Sequence, residues 1–271
     1  MTELRFVQID AFADRPFTGN PAAVMPLDAW LPDDILQAIG QENNLSETAF
    51  LVRDASGAAD YELRWFTPED EVRLCGHASL ASGHFVMSEN SDLDSVTFRT
   101  RRAGILRVDR AGDPGSGSGG YELALPAWAP SPKPLPEVVA ALGVGGVVET
   151  LWREGGYGVI VLDSEAAVRA VAPDLQRLAA TGDHQAIVTA RGETADVVSR
   201  MFAPGAGVDE DPVTGSAHAV IVPYWAERLG RDRFTAYQAS KRGGHLAARL
   251  DGDRVVLGGK CVTVIEGVMR I

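Results

Sequence analysis

Residues 74–80 read Leu74-Cys75-Gly76-His77-Ala78-Ser79-Leu80, and residues 211–218 read Asp211-Pro212-Val213-Thr214-Gly215-Ser216-Ala217-His218. Each stretch passes through a glycine into small and apolar residues, which predicts helices over 78–87 and 216–229, the second ended by Gly230. The first backbone N–H groups of a helix have no partner within it, and with the helix dipole they form a site for an anion. Glycine and other small residues let a ligand approach that backbone closely. Pro212 pushes Asp211 into an extended conformation outside the helix, and Ser216 sets a hydroxyl beside free amides. The plainer reading of each stretch is a strand-to-helix turn with ordinary capping. Their likeness favours two similar lobes, each with one central helix, whose opposed starts grip one small carboxylate-bearing molecule.

Outward from these helices the pattern is mostly strand. Residues 5–12 alternate polar and apolar side chains, and further strands are expected at 22–25, 48–52, 61–66, 95–99, 105–110 and 121–125. Pro32-Asp33-Asp34 opens a helix over 32–42, with carboxylates in its first turn. The second half repeats the grammar, with strands at 150–153, 157–162, 185–190, 196–202, 233–240, 245–250, 254–257 and 261–266 and helices at 137–142 and 174–180. Residues 205–215 read as loop. The Gly/Ser-rich run 112–120 reads as a flexible hairpin loop, and the proline-dense run 126–136 as a semi-rigid linker. The expected fold is therefore α+β, with lobes at 1–128 and 129–271 and the active site in the cleft between them.

The chain has 271 residues, of which 45% are hydrophobic and 23% charged, an ordinary globular composition with ample length for a core. Its formal net charge of −12 argues against nucleic acid and anionic membrane surfaces as partners. An anionic small substrate remains compatible, because local donors in a cleft outweigh distant charge. No secretory leader is visible, and the apolar runs are too short to span a bilayer. With only Cys75 and Cys261 there is no disulfide framework, so a cytoplasmic location is expected.

Three residues stand out chemically. Glu47 sits where a polar loop turns into an apolar strand; burial there would raise its pKa and suit it to proton transfer, although a strand-edge glutamate is more often solvated. Cys75 precedes a helix start, where a thiolate would be favoured, yet a free cysteine is often only a small buried residue. A scheme with one thiol on each side of the substrate fails, because no cysteine lies near Gly215. His77 occupies the first helical turn, where the dipole favours its neutral form as a hydrogen-bond donor; the alternative is a structural histidine bonded to a neighbouring loop. The five histidines match no metal-ligand spacing, and no nucleotide-binding or phosphate-loop motif stands out, so neither metal nor cofactor is expected.

At these residues the chain resembles the PhzF family of phenazine-biosynthesis-like isomerases. The resemblance is carried in order by Asp10-Ala11-Phe12, Phe17-Thr18-Gly19-Asn20-Pro21-Ala22-Ala23-Val24, Asn44-Leu45-Ser46-Glu47-Thr48-Ala49-Phe50, Arg64-Trp65-Phe66-Thr67-Pro68, Leu74-Cys75-Gly76-His77-Ala78 and Asp211-Pro212-Val213-Thr214-Gly215-Ser216-Ala217-His218. It implies a fold similar to diaminopimelate epimerase, each lobe wrapping a mostly antiparallel sheet round a central helix. It implies isomerisation without metal or organic cofactor, the best-known member acting on trans-2,3-dihydro-3-hydroxyanthranilate. By the same resemblance Glu47 takes and returns the proton, with His77 and Asp211 as catalytic partners. Ser46, Cys75, Gly76, Gly215 and Ser216 are implied to bind substrate, and a homodimer is expected. The run Gln238-Ala239-Ser240-Lys241-Arg242-Gly243-Gly244 departs from the glycine- and Arg-Pro-containing form common in relatives. Two other activities fit the same residues: an epimerase or racemase acting through Cys75, or a non-catalytic small-molecule-binding protein.

Overall fold

The computed structural model describes residues 2–112 and 119–271, so most of the expected hairpin loop at 112–120 lies outside the described residues. The chain forms two compact units, one of Met1–Ala124 with Gly258–Ile271 and one of Leu125–Leu257. The first contributes β1 (Glu3–Ala11), β2 (Asn20–Pro26), α1 (Asp33–Asn43), β3 (Glu47–Arg53), β4 (Tyr61–Phe66), β5 (Glu71–Val72), α2 (Gly76–Glu89), β6 (Ser95–Thr100), β7 (Ile105–Ala111) and β8 (Gly120–Pro126). The second contributes β9 (Ser131–Pro132), α3 (Pro136–Leu142), β10 (Val147–Arg153), β11 (Tyr157–Leu162), α4 (Glu165–Ala170), α5 (Leu175–Ala180), β12 (Gln185–Arg191), β13 (Val197–Ala203), β14 (Val208–Asp211), α6 (Gly215–Leu229), β15 (Arg233–Gln238), β16 (Gly244–Asp251) and β17 (Arg254–Gly259). The last strand, β18 (Cys261–Arg270), belongs to the first unit.

This corrects the expected boundary at 128/129 and the linker at 126–136. The proline-rich segment is not a free connector: Ala127 N–H bonds the Asp253 carbonyl (2.8 Å), Lys133 N–H bonds the Thr150 carbonyl (3.1 Å), and β9 pairs with β10. At the other end, β18 pairs with β1 along its whole length, from Glu3↔Arg270 to Ala11↔Cys261. Besides the two-residue strands β5 and β9, two further elements escape the sequence pattern. One is α4, capped by Ser164, whose hydroxyl accepts Ala167 N–H. The other is β14, which lies inside the stretch expected to be loop and pairs with β13.

Strand pairing repeats itself. In the first unit the order β18-β1-β2-β3-β4-β6-β7 runs antiparallel, antiparallel, parallel, antiparallel, parallel, antiparallel. In the second, β9-β10-β11-β12-β13-β15-β16 follows the same succession step for step. The short strands β5 and β14 hold matching places, each pairing antiparallel with the strand before it and leading into a central helix. The duplicated α+β architecture is thus written into the hydrogen bonding.

The central helices are buried nearly all round, unlike α1, which buries one face through Leu36, Ile39 and Gly40. In α2, 11 of 14 residues are buried, and the helix packs against β1, β2, β3, β6 and β7. Gly83 makes this possible, since a Cβ there would stand 2.5 Å from Val108 Cγ1. The serines tolerate burial by bonding within the helix: Ser79 Oγ donates to the Cys75 carbonyl (2.6 Å) and Ser82 Oγ to the Ala78 carbonyl (2.7 Å). In α6, Pro223 removes the N–H that would have bonded the Ala219 carbonyl. Trp128 N–H supplies the replacement, reaching Ala219 O at 3.0 Å.

One ion cluster fixes the approach to α2. The Arg64 side chain is 1% exposed. Its guanidinium donates to both Glu71 oxygens (2.8 Å each) and to Asp33 Oδ1 (2.9 Å), and lies 5.1 Å from the Trp30 ring and 4.9 Å from the Phe66 ring. It thereby ties β4 to β5 and to the start of α1. Removing one partner of a buried pair leaves the other uncompensated, so Arg64→Ala should lower stability by about 3–5 kcal/mol in urea denaturation. A loss below about 1 kcal/mol would show that the cluster behaves as a surface pair.

Candidate functional site

In the first unit the site grows from the junction of three elements. Gly19 turns the chain into β2 with φ +66°, and a Cβ on it would stand 2.2 Å from the Ala11 carbonyl oxygen, so only glycine makes this turn. The turn delivers Asn20, which is wholly buried. Asn20 Oδ1 accepts from Ser46 Oγ (3.1 Å), and Asn20 Nδ2 lies 3.2 Å from His77 Nδ1. Nδ1 accepts from this amide only while the imidazole is neutral, its one proton then lying on Nε2. Glu47 opens β3, held in register opposite Ala22 of β2. Its Oε2 stands 3.1 Å from His77 Nε2. The pair is off the hydrogen-bond line, so both atoms are buried without an in-line partner.

Glu47, Ser46, Cys75, Gly76 and His77 are thus gathered at the start of α2. Two electrostatic expectations are corrected. His77 was expected to be neutral under the helix dipole. Burial does oppose its charge, but the negative charge of Cys75 whenever that sulfur is ionised, and of the Glu47 carboxylate, outweighs it and raises the imidazole above its usual pKa. Cys75 was expected to lean toward thiolate. Its thiol is pushed up to about 11, first by burial and then by the nearby Glu47 charge. At neutral pH the sulfur therefore keeps its proton, 3.5 Å from His77 Nδ1. Among the described residues, Glu47, Cys75 and His77 are the one group whose ligand atoms cluster like a metal site, within 4.8 Å of one another. A cation there would require the thiol to deprotonate, against the local field.

In the second unit, Asp211 ends β14 and Gly215 begins α6, as the helix-start motif implied. Asp211 is buried, and its Oδ2 accepts a short hydrogen bond from the Thr214 hydroxyl. Thr214 is extended (φ −111°, ψ 107°) at the N-cap position, and no side chain caps the helix. Ser216 Oγ lies 3.4 Å from Gln185 Oε1, and the Tyr157 hydroxyl bonds to both residues. His218 Nδ1 donates to the Thr214 carbonyl (2.7 Å). Its Nε2 is buried without a partner, and burial depresses its pKa to about 4.

The two helix starts use one device with different side chains. The second helical residue is His77 in one and Ser216 in the other. The fourth, Ser79 or His218, bonds back to the N-cap carbonyl of Cys75 or Thr214. Sequence reasoning missed Asn20, Thr214, Gln185, Tyr157 and the role of Gln238. The buried amide in the Gly-Asn-Pro turn was the available signal for the first; the others depend on contacts between distant strands.

A model of the PhzC-PhzF family, described as phenazine biosynthesis-like protein, matches residues 9–267. A Pseudomonas aeruginosa protein named as an uncharacterized isomerase is 46% identical over 271 residues, covering 99% of this chain and 100% of its own. The crystal structure of a PhzF family phenazine biosynthesis protein from Enterococcus faecalis superposes with a TM-score of 0.90 at 40% identity, covering 100% of both chains. A hydroxyproline epimerase from Agrobacterium vitis superposes with a TM-score of 0.61 at 12% identity, over 98% of this chain and 92% of its own, which shows a common fold. Fold and relatives together define an enzyme of the isomerase type on an epimerase-like α+β scaffold. The chain belongs to the PhzC-PhzF family. No helix among the described residues is long and apolar enough to cross a membrane.

Two outcomes follow from these electrostatics. Cys75 in the native protein should resist iodoacetamide at pH 8 and label only on unfolding, as followed by peptide mass spectrometry; rapid native labelling would restore the thiolate. For His218, the unfolded chain binds a proton near its ordinary pKa of 6.5, whereas the native imidazole binds one only near 4. The unfolded state therefore holds more protons between those values, and this contribution to stability is lost as pH falls through that window, by roughly 3 kcal/mol in all. His77 has the opposite sign, so the comparison is native protein against His218→Asn, whose stability should fall less steeply between pH 6.5 and 4.

Proposed function

We propose that this enzyme moves a proton between two carbons of a small carboxylate-bearing substrate, with Glu47 as its single acid and base and with no metal or organic cofactor. The observation that carries this is the Glu47–His77 pair: a carboxylate oxygen and an imidazole nitrogen, 3.1 Å apart and buried, neither committed to an in-line hydrogen bond. Glu47 takes a proton from one carbon while the C–H electrons pass into the neighbouring π system. The resulting carboxylic acid returns the proton to another carbon on the same face. One C–H bond breaks and one forms, and nothing else is consumed.

His77 supplies a proton-rich neighbour that steadies the Glu47 carboxylate and stabilises charge developing on the substrate. Asn20 and Ser46 hold its ring, and the N–H groups beginning at Gly76 face the same charge. Asp211, Gly215 and Ser216, at the start of α6, are given substrate-binding roles by the matched helix starts and repeated strand order. A positioned general base typically contributes about 10²–10⁴-fold. An epimerase mechanism through Cys75 would need a thiolate, which burial and the Glu47 charge both oppose.

The test is conversion of trans-2,3-dihydro-3-hydroxyanthranilate in D₂O, after treatment with EDTA, following absorbance and deuterium uptake. Native protein should exchange deuterium at carbon, Glu47→Gln should fall by at least ~10²-fold, and Cys75→Ser should lose far less. Equal losses in the two variants would move the chemistry to the thiol. Binding without exchange at carbon would mark a non-catalytic ligand-binding protein.

A further inference from the structure

Gln238 ends β15, twenty-four residues beyond Thr214 in sequence, and its side chain is wholly buried. Its amide spans the turn that starts α6. Nε2 donates to the Asp211 carbonyl (2.7 Å) and to Thr214 Oγ1 (3.1 Å), while Oε1 accepts Thr214 N–H (2.9 Å). The loop that follows adds a second clamp, with Ser240 Oγ donating to the Pro212 carbonyl (2.8 Å) and accepting Gly243 N–H (3.1 Å).

The direction of these bonds matters. A hydroxyl has one proton to give. With the Gln238 amide donating to Thr214 Oγ1, that proton is left to point at Asp211 Oδ2, the acceptor it reaches. Gln238 therefore sets a rotor that would otherwise have several positions, and the rotor in turn sets the Asp211 carboxylate. Thr214 N–H, next to the helix start, is consumed by the same amide, so the free donors of α6 begin only beyond it.

We propose that Gln238 is a positioning residue for the reaction: it fixes the Thr214 hydroxyl and, through it, the rotamer in which Asp211 meets the substrate. This rests on the assignment of Asp211 to the site made above. Replacement by glutamate separates positioning from packing. Glutamate has the same shape and keeps an acceptor for Thr214 N–H, but as a carboxylate it has no donor for Thr214 Oγ1 or the Asp211 carbonyl; once protonated it recovers one.

The experiment measures kcat and KM for trans-2,3-dihydro-3-hydroxyanthranilate from pH 5.5 to 8.5 in native protein, Gln238→Glu and Gln238→Ala, with circular dichroism to establish folding. The Gln238→Glu variant should lose roughly ten- to a hundredfold in kcat at pH 8.5 with little change in KM, and the ratio to native should rise again toward pH 5.5. The Gln238→Ala variant should show the loss without the return. A loss in Gln238→Glu that is flat with pH, or no loss at all, overturns the proposal. If native protein leaves the compound unchanged, the reaction proposed above fails and positioning is read without turnover. Thr214 amide exchange by NMR should then be protected in native protein and Gln238→Glu and fast in Gln238→Ala. Equal exchange in all three overturns the splint. Should Gln238→Ala not fold, native protein and Gln238→Glu still decide the matter through Asp and Thr214 resonances, which should move together with pH only in the glutamate variant.

Discussion

A helix buried on every side has to begin inside the protein, and most of this architecture answers that constraint. The first N–H groups of α2 and α6 cannot reach bulk water freely, and neither helix has a side-chain cap. Instead each N-cap residue is extended, and its carbonyl is gripped from the fourth helical position, by Ser79 in one case and His218 in the other. The uncapped donors are left for whatever binds there. The residues implicated in chemistry then collect where the helix cannot satisfy itself: Glu47 and His77 around one start, Asp211 and Ser216 around the other.

The repeated succession of strand directions explains how one solution came to be used twice while the side chains diverged. Both units pass through a short strand, a turn and a buried helix in the same place. Within that frame the second helical residue is histidine in one unit and serine in the other, and the fourth is the reverse. The exchange has an electrostatic result. Where histidine adjoins Glu47 it holds its proton strongly; where it is sealed behind the helix start it is held neutral. The same residue type serves as a charged partner in one lobe and an uncharged strut in the other, decided by the presence of a carboxylate.

Much of this was legible in the sequence. The alternation at 5–12, the apolar runs and the two Gly-led helix starts placed nearly every strand and both central helices, because those signals are local. The gathering of Ser46, Glu47, Cys75, Gly76 and His77 followed from family-like motifs. Three matters were not legible, each for a physical reason. The unit boundary depends on β18 pairing with β1 across the length of the chain. The states of Cys75 and His77 were misjudged because a helix dipole is a weak local term beside burial and a carboxylate 3.1 Å away. The grip of Gln238 joins β15 to a turn in front of α6, and nothing in the neighbourhood of either segment announces it.

The return of β18 to the first unit also sets an order of events. The second unit is a single unbroken stretch, Leu125–Leu257, whereas the first is assembled from two pieces and takes its strand beside β1 from beyond Gly258. In the second unit the equivalent place is filled by β9, only two residues long and close in sequence to its partner β10. During synthesis, then, the half holding Asp211 can reach its native form while the half holding Glu47 still presents an open flank on β1. Contacts of such long sequence separation are slow to form. Until they do, the exposed row of β1 N–H and C=O groups is the part of the nascent chain most open to pairing with a neighbour.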